Sequence, residues 1–460
     1  MKYFSIRQTD DQTTGTAWPA QAPPWHLLEV PTRLQIPLVA KAATGRIAHR
    51  PAGTIVSKGE NLCDVGFAGS PAALAPTSGR IIGSSQVQLL NGSIVPAVDV
   101  EADFEDRSHP GESHDVQHAQ AQHEQIEEVQ TAGPANLAQW IDRLGNAGVW
   151  AERPASPDLL AQLHRALRQP IDTILCNLLD DEPAMRLNGV LAARSGPLLL
   201  AGISLLARLT EARQVSLVIE AGSPGKWWLP LRRLARKARF DVVPILNDYP
   251  QGNPTLLLHA MLKRRLKPGR SPGDQRVFML DAAAAIAIGR CASRGQSMLR
   301  VPLALRDHTR RRTHFLIAPV GISLREVLKQ CDIPADGMTL RRGALLQQND
   351  VSIDAIIAGG ELTVHVMPHQ VAALPDPCIR CAWCVESCPT RIQPAGLLEA
   401  AQRGDLELAR QYGLDSCIEC GVCSYVCPSH LPLLQAIRIL KQKSGKMEVA
   451  EIPRDRDDRR

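Results

Sequence analysis

The chain has 460 residues, 44% of them hydrophobic and 22% charged, with a net charge of +5. That length suits three or four domains at roughly 150 residues each, and the composition is that of a globular protein with real cores, not of a disordered or collagen-like chain. Only 4% of the residues are aromatic, so the mild basic surplus lacks the interleaved rings of a single-strand binder, and nucleic acid is set aside as a partner.

No cationic start followed by an apolar core and cleavage site opens the sequence, so no export signal is expected. The apolar runs near 196–208 and 280–289 are shorter than the roughly 18–20 residues of a membrane span. Membrane association is therefore expected through a partner, from a reducing compartment, the cytoplasm.

Residues 1–30, rich in Thr, Gln, Pro and Trp (Trp18, Trp25), lack periodicity and read as an arm packed along another domain. Residues 31–103 carry short β-branched runs at 34–39, 53–57 and 79–83, broken by Gly and Pro, which predict a small β-sandwich or barrel. Its Ala75-Pro-Thr-Ser-Gly79 stretch looks like the turn of a lipoyl-type module, without the lysine of a swinging arm. Residues 104–134 are an acidic, His-bearing linker (His109, His114, His118, His123). His114 and His118 would share a helix face, which permits a metal, but a solvated linker is the preferred reading.

From 135 to 300, amphipathic helices alternate with apolar strands at 171–177, 214–219 and 240–245, the pattern of a doubly wound α/β domain. Ligands of such sheets lie beyond the carboxyl ends of the strands, here near 177–183, 220–225 and 247–252. Residues 312–331 then read as strand, turn and helix, and 362–367 as a returning strand, which fits a small β-grasp domain over 301–367. An Ala/Pro linker leads into a cysteine-rich segment, 368–443, and 444–460 is a charged tail. The expected fold class is multidomain, α/β plus β.

Residues 378–389 read Cys-Ile-Arg-Cys-Ala-Trp-Cys-Val-Glu-Ser-Cys-Pro, and 417–428 read Cys-Ile-Glu-Cys-Gly-Val-Cys-Ser-Tyr-Val-Cys-Pro. Each is a C-x2-C-x2-C-x3-C-P run, the spacing that holds a [4Fe-4S] cluster and sends its fourth thiolate to the neighbouring cluster. Cys378, Cys381, Cys384 and Cys427 are thus expected on one cluster, and Cys417, Cys420, Cys423 and Cys388 on the second. Zinc accepts C-x2-C pairs, but two quartets of equal spacing with trailing prolines favour iron. Trp383 and Tyr425 would shield the clusters or simply pack in a core, with packing preferred. Glu386 and Glu419 are read as solvated charges. Cys63, Cys176, Cys291 and Cys331 are expected to be free thiols. Basic runs at 232–239, 263–270 and 310–312 read as solvated helix faces or, more sharply, as a docking surface for an acidic partner or lipid headgroups.

The order of β-module, α/β domain, β-grasp domain and paired cysteine motifs resembles the RnfC (RsxC) family of the Rnf electron transport complex and, more distantly, the flavoprotein subunit of respiratory complex I. The marks of that resemblance are the two cysteine runs, the 75–79 turn, Ser416-Cys-Ile-Glu-Cys-Gly421, Val426-Cys-Pro-Ser429 and Ile437. It implies a lipoyl-like module, a complex I flavoprotein-like α/β domain, a β-grasp domain of the SLBB type and a C-terminal two-cluster ferredoxin-like helical domain. It also implies a peripheral subunit on the cytoplasmic side of the cell inner membrane, in a complex that passes electrons between NADH and ferredoxin or flavodoxin and moves ions.

The sequence departs from the family at the flavin. Where members carry a loop of the form G-L-G-G-A-G-F-P-T, this chain has Gly148-Val-Trp-Ala-Glu-Arg-Pro154. The family's N-x-x-E-C-E-P survives as Asn177-Leu-Leu-Asp-Asp-Glu-Pro183, so Asn177 and Glu182 are the residues the resemblance assigns to FMN. A Y-P-x-G motif stands at Tyr249-Pro-Gln-Gly252. Two readings stay open: a domain that has lost flavin and NADH, or one that binds them in an altered pocket. Two other functions are weighed beside the Rnf-type subunit. One is a soluble iron–sulfur dehydrogenase component, and the other is a docking or assembly protein with structural clusters.

Overall fold

Alternating apolar residues build the N-terminal sheet. The computed structural model describes residues 22–39, 49–63, 70–109, 136–223, 225–267, 270–369, 371 and 373–451. Trp18, the histidines at 114, 118 and 123, and the end of the charged tail lie outside the described residues. Strand β1 is His26–Leu27, β2 Arg33–Pro37, β3 Ile55–Val56, β4 Gly79–Gln88 and β5 Ile94–Ala102. Strands β2 to β5 form one antiparallel sheet in the order β2-β5-β4-β3. Leu34, Ile36, Ile81, Val98 and Val100 point inward, while Arg80 and Glu101 face solvent, the period-two alternation of a half-buried sheet. The described residues of 31–103 thus make a single sheet. Its apolar side joins a core shared with the rest of the chain, and Val87, Leu89 and Ala97 pack with Trp150, Ile356 and Ala358.

The second unit comprises α1 (Leu137–Asn146), α2 (Leu159–Ala166), β6 (Thr173–Asn177), α3 (Leu187–Thr210), β7 (Gln214–Glu220), α4 (Gly225–Lys237), β8 (Asp241–Ile245), α5 (Pro254–Leu262), β9 (Val277–Asp281) and α6 (Ala282–Arg294). Its four strands are parallel, in the order β8-β7-β6-β9. The chain steps outward from β6 to β7 and β8, then returns to the other side of β6 as β9. Every residue of β6 and β9 is buried, as helices on both faces require. Strand β9 is absent from the sequence reading because its apolar run passes without a turn into the alanines of α6. Asp281 marks the junction, its carboxylate accepting from the Ala284 amide at 2.9 Å as the N-cap.

Helix α3 is long and apolar enough to span a membrane, which the shorter run at 196–208 does not suggest. Its most apolar stretch is 72% buried inside the protein. The helix continues past Pro197 because Ser195 leaves helical geometry and absorbs the kink. It crosses α6 at two reciprocal glycines. A methyl group on Gly202 would run into the Ala285 carbonyl, and one on Gly289 into the Leu198 carbonyl.

A third unit holds β10 (Arg300–Asp307), β11 (Arg312–Pro319), α7 (Leu324–Gln330), β12 (Met338–Arg342), β13 (Asn349–Asp350) and β14 (Thr363–Pro368). The sheet order is β1-β11-β10-β14-β12-β13, with β10 antiparallel to β11 and parallel to β14. The N-terminal segment supplies its edge: β1 runs parallel to β11, and Trp25 meets Phe315 edge-on at 5.8 Å. The last unit is helical, with α8 (Trp383–Glu386), α9 (Pro394–Arg403), α10 (Leu406–Gln411), α11 (Val422–Tyr425) and α12 (Leu433–Glu451) around its own core of Leu397, Leu414, Ile437 and Leu440.

The α3–α6 crossing generates the first prediction. Overpacking a tight core costs about 1–3 kcal/mol, so Gly202→Ala or Gly289→Ala should lower stability by that order in denaturant unfolding. Gly83→Ala, where an added Cβ meets nothing within 4 Å, should leave stability unchanged.

Candidate iron–sulfur centre and the α/β crevice

The two cysteine runs fold alike, residue for residue. Arg380 (φ 57°) matches Glu419 (54°), Ala382 (65°) matches Gly421 (78°), and Arg391 (56°) matches His430 (50°). Left-handed backbone at a non-glycine costs roughly 1–2 kcal/mol and persists only where its surroundings over-determine it. These turns reverse the chain between cysteines before the one-turn helices α8 and α11 carry it to the fourth. Beyond that cysteine, the Arg391 and His430 amides close onto the Cys388 and Cys427 carbonyls, both at 3.1 Å.

The thiols lie in two crossed neighbourhoods. Cys384 feels the charges of Cys427 and Cys381. Cys417 feels Cys388, Cys420 feels Cys388 and Cys417, and Cys423 feels all three. Cys388 therefore stands with the first three cysteines of the second run, and Cys427 with Cys384 of the first. Among the described residues no three His, Cys, Asp or Glu side chains close on one point that a single ion could occupy. Burial, with Cys388 and Cys417 beside it, pushes Cys420 up to about 12, and burial among the same thiols does so for Cys423, so iron must displace their protons on loading.

The halves differ in what covers them. Cys378 and Cys381 are exposed, while Cys423 and Cys427 are buried. Val422 is 2% exposed beneath Tyr249, Ala344 and Leu346, whereas Trp383, its counterpart in the first run, is 54% exposed. The Tyr249 hydroxyl donates to the Cys420 carbonyl. Gly421 lies against the Leu346 carbonyl so closely that a Cβ would collide with it. The packing expected of Trp383 and Tyr425 is not seen: Trp383 is 54% exposed and Tyr425 48%. Glu419 is also not a free surface charge. It accepts from Lys441 Nζ at 2.9 Å and Arg438 Nε at 3.1 Å, and Lys441 also caps the Cys417 carbonyl at 2.7 Å.

In the α/β domain, the residues expected near the strand ends do converge, but on each other. Asn177 is fully buried, donating from Nδ2 to the Gly252 carbonyl at 2.9 Å and accepting from the Leu179 amide at 3.1 Å. Glu182 is 3% exposed and accepts from the Leu345 amide at 3.2 Å. Its partner loop is the one that touches Gly421. Arg153 has no counterpart in the sequence reading. Its guanidinium is forked onto both oxygens of Asp281, with Nη2–Oδ1 at 2.7 Å, and donates from Nη1 to Gly359 O at 2.7 Å. The signal that pointed to it was only the missing glycines of its loop. The basic run at 232–239 is mostly solvent-exposed along α4, the solvated face expected of it.

The duplicated turn yields a second prediction. Gly421→Ala should loosen the cluster-bearing unit from the body, seen as lower iron occupancy and a lower melting temperature. The counterpart change Ala382→Gly should cost neither, because that face is open.

Comparison with known proteins locates both regions. A Nuo51 FMN-binding domain matches residues 158–290, and a 4Fe-4S dicluster domain matches 377–432. The RnfC protein of the ion-translocating oxidoreductase complex of Rhodobacter capsulatus is 25% identical over 386 residues, 81% of this chain and 70% of that one. Its counterpart in Pasteurella multocida is 25% identical over 70% of this chain, which spans only 39% of that longer protein. The corresponding protein of the Na(+)-translocating ferredoxin:NAD(+) oxidoreductase complex of Acetobacterium woodii is 21% identical over 51% of this chain and 54% of its own. An NAD+-reducing [NiFe]-hydrogenase structure resembles the chain at 14% identity and a TM-score of 0.47, over 72% of this chain and 65% of that one, too distant to carry an argument. Over about four-fifths of its length, the chain is a homologue of the RnfC proteins of ion-translocating oxidoreductase complexes.

Proposed function

We propose that this chain is the iron–sulfur electron-transfer subunit of an Rnf-type ion-translocating oxidoreductase. Cys378, Cys381, Cys384 and Cys427 hold one [4Fe-4S] cluster, and Cys417, Cys420, Cys423 and Cys388 hold the other. The observation that carries this reading is the crossed proximity of the thiols, Cys388 sitting with Cys417, Cys420 and Cys423, and Cys427 with Cys384. When bound, such clusters exchange single electrons at potentials tuned by hydrogen bonds, charge and solvent access. The chain supplies that tuning unequally. Lys441, Arg438 and Glu419 set a fixed charge group beside Cys417, and Tyr249 and Leu346 exclude water from the Cys420 loop, whereas the Cys378–Cys381 side lies open. The covered side faces the body of the chain and the open side faces outward, where a one-electron partner such as ferredoxin, flavodoxin or another member of the complex would meet it.

The same reading includes the finer layout. It takes 1–30 as an arm, 31–103 as a lipoyl-like module, 104–134 as a linker and 135–300 as a flavoprotein-like domain. Residues 301–367 are the β-grasp domain, 368–443 the two-cluster domain and 444–460 the tail. The parallel β10–β14 pair flanked by an antiparallel hairpin and α7 supports the β-grasp assignment. The reading places the protein peripherally on the cytoplasmic face of the inner membrane, held by its partners; among the described residues the one helix long and apolar enough to cross a membrane is packed within the fold.

Paired substitutions test the ligand sets. Cys384→Ser and Cys427→Ser should perturb the same cluster signal in electron paramagnetic resonance, and Cys388→Ser should perturb the one that Cys420→Ser does. If Cys384→Ser and Cys388→Ser alter a single shared signal, the crossed assignment is wrong.

A further inference from the structure

In an open parallel sheet the ligand crevice opens where the strand order reverses, which here is between the carboxyl ends of β6 and β9. We propose that this crevice is filled by the protein itself, with Arg153 as the plug, and that the domain binds neither FMN nor a nicotinamide dinucleotide. The proposal rests on the crevice alone and holds whether or not the clusters carry electrons.

Asp281 closes β9, and Arg153 reaches it from the 148–154 loop, the stretch that replaces the family's glycines. Three guanidinium nitrogens are engaged: Nε and Nη2 on Asp281, and Nη1 on the carbonyls of Gly359 at 2.7 Å and Gly360 at 3.3 Å. The two side chains are 9% and 4% exposed. A planar fork bound on one edge to a carboxylate and on another to two carbonyls has little capacity left for a ligand phosphate. The loop backbone closes the remaining gap. Trp150 is buried, and its carbonyl lies so near Gly359 that even a methyl group there would collide with it. At that point the loop and Gly359 are in backbone contact, and a flat ring system cannot enter between them.

Asp180, Asp181 and Glu182 follow β6 directly, and Asp281 and Glu361 stand within range of Asp181. Burial, then Glu361 and Asp281, push the Asp181 carboxyl up to about 7. Arg186 stands among them, within range of Asp180 and Glu220, so it is the filled space, not charge, that excludes a phosphorylated ligand. The groups that match the family's flavin residues are engaged elsewhere: Asn177 on Gly252 and Leu179, and Glu182 on Leu345.

The test uses the full chain, purified anaerobically with iron and sulfide verified. Acid-extracted flavin should be far below one per chain. Titration with FMN should show no saturable fluorescence quench, and titration with NADH no binding heat. Arg153→Ala should lower the melting temperature, because Asp281 and two carbonyls lose their partner, while iron content stays as in the parent. Stoichiometric FMN, a saturable quench or NADH binding would overturn the proposal. So would an Arg153→Ala protein that melts where the parent does, since the side chain would then not be locked in place. Failure of the electron-transfer reading would show instead as clusters that do not reduce, with flavin still absent.

Discussion

A short loop must bring three thiols towards one small inorganic body and send a fourth away to another. The rest of the structure depends on that constraint. It is met by left-handed backbone at matching places in both runs, Arg380 with Glu419, Ala382 with Gly421 and Arg391 with His430. Most of these are not glycines, so each half stores strain that only a filled, cross-linked arrangement compensates. Because the fourth thiols cross over, neither half is complete alone. The helices α9 and α12 hold them together as one unit, burying Leu397, Ile437 and Leu440 between the halves.

Hydrogen bonding and close packing tie that unit to the body through its second cysteine loop. Glu182 fixes the Leu345 amide, Leu346 presents its carbonyl to Gly421, and Tyr249 bonds Cys420. Residues at the carboxyl ends of β6 and β8, where a related fold would hold its ligand, serve here to seat the second cysteine loop. The first loop, with Trp383 in place of Val422, keeps its outer face free. An internal two-fold likeness is thereby turned into a directed arrangement with an inner and an outer end. Arg153 completes the same shift of purpose by tying the loop before α2 to β9 and to the 359–360 segment.

Much of this was legible in the residues. Cysteine spacing states its chemistry outright, because the ligands are local and few side chains replace them. Strands β6, β7 and β8 were visible as apolar runs between helices, and β6 and β7, buried along their length, carry the dense signal of a strand covered on both faces. Strand β9 was not visible, since it merges into α6 with Asp281 as the only punctuation. Contacts between distant segments were also hidden. Nothing in Gly148-Val-Trp-Ala-Glu-Arg-Pro154 announces that its arginine meets a carboxylate 128 positions later, although the loss of glycines did mark the loop as altered. Trp383 and Tyr425 read as core because aromatic residues usually are, and here both side chains stand exposed.

Paired iron–sulfur chemistry at the C-terminal unit is the central claim, and its most direct measurement is electron paramagnetic resonance of the anaerobically isolated, dithionite-reduced protein, taken with metal analysis of the same sample. The account predicts iron and sulfide sufficient for two cubanes and a spectrum broadened by magnetic interaction between two reduced centres held close by crossed ligation. Zinc in place of iron, or a reduced sample with no paramagnetic signal, would contradict it.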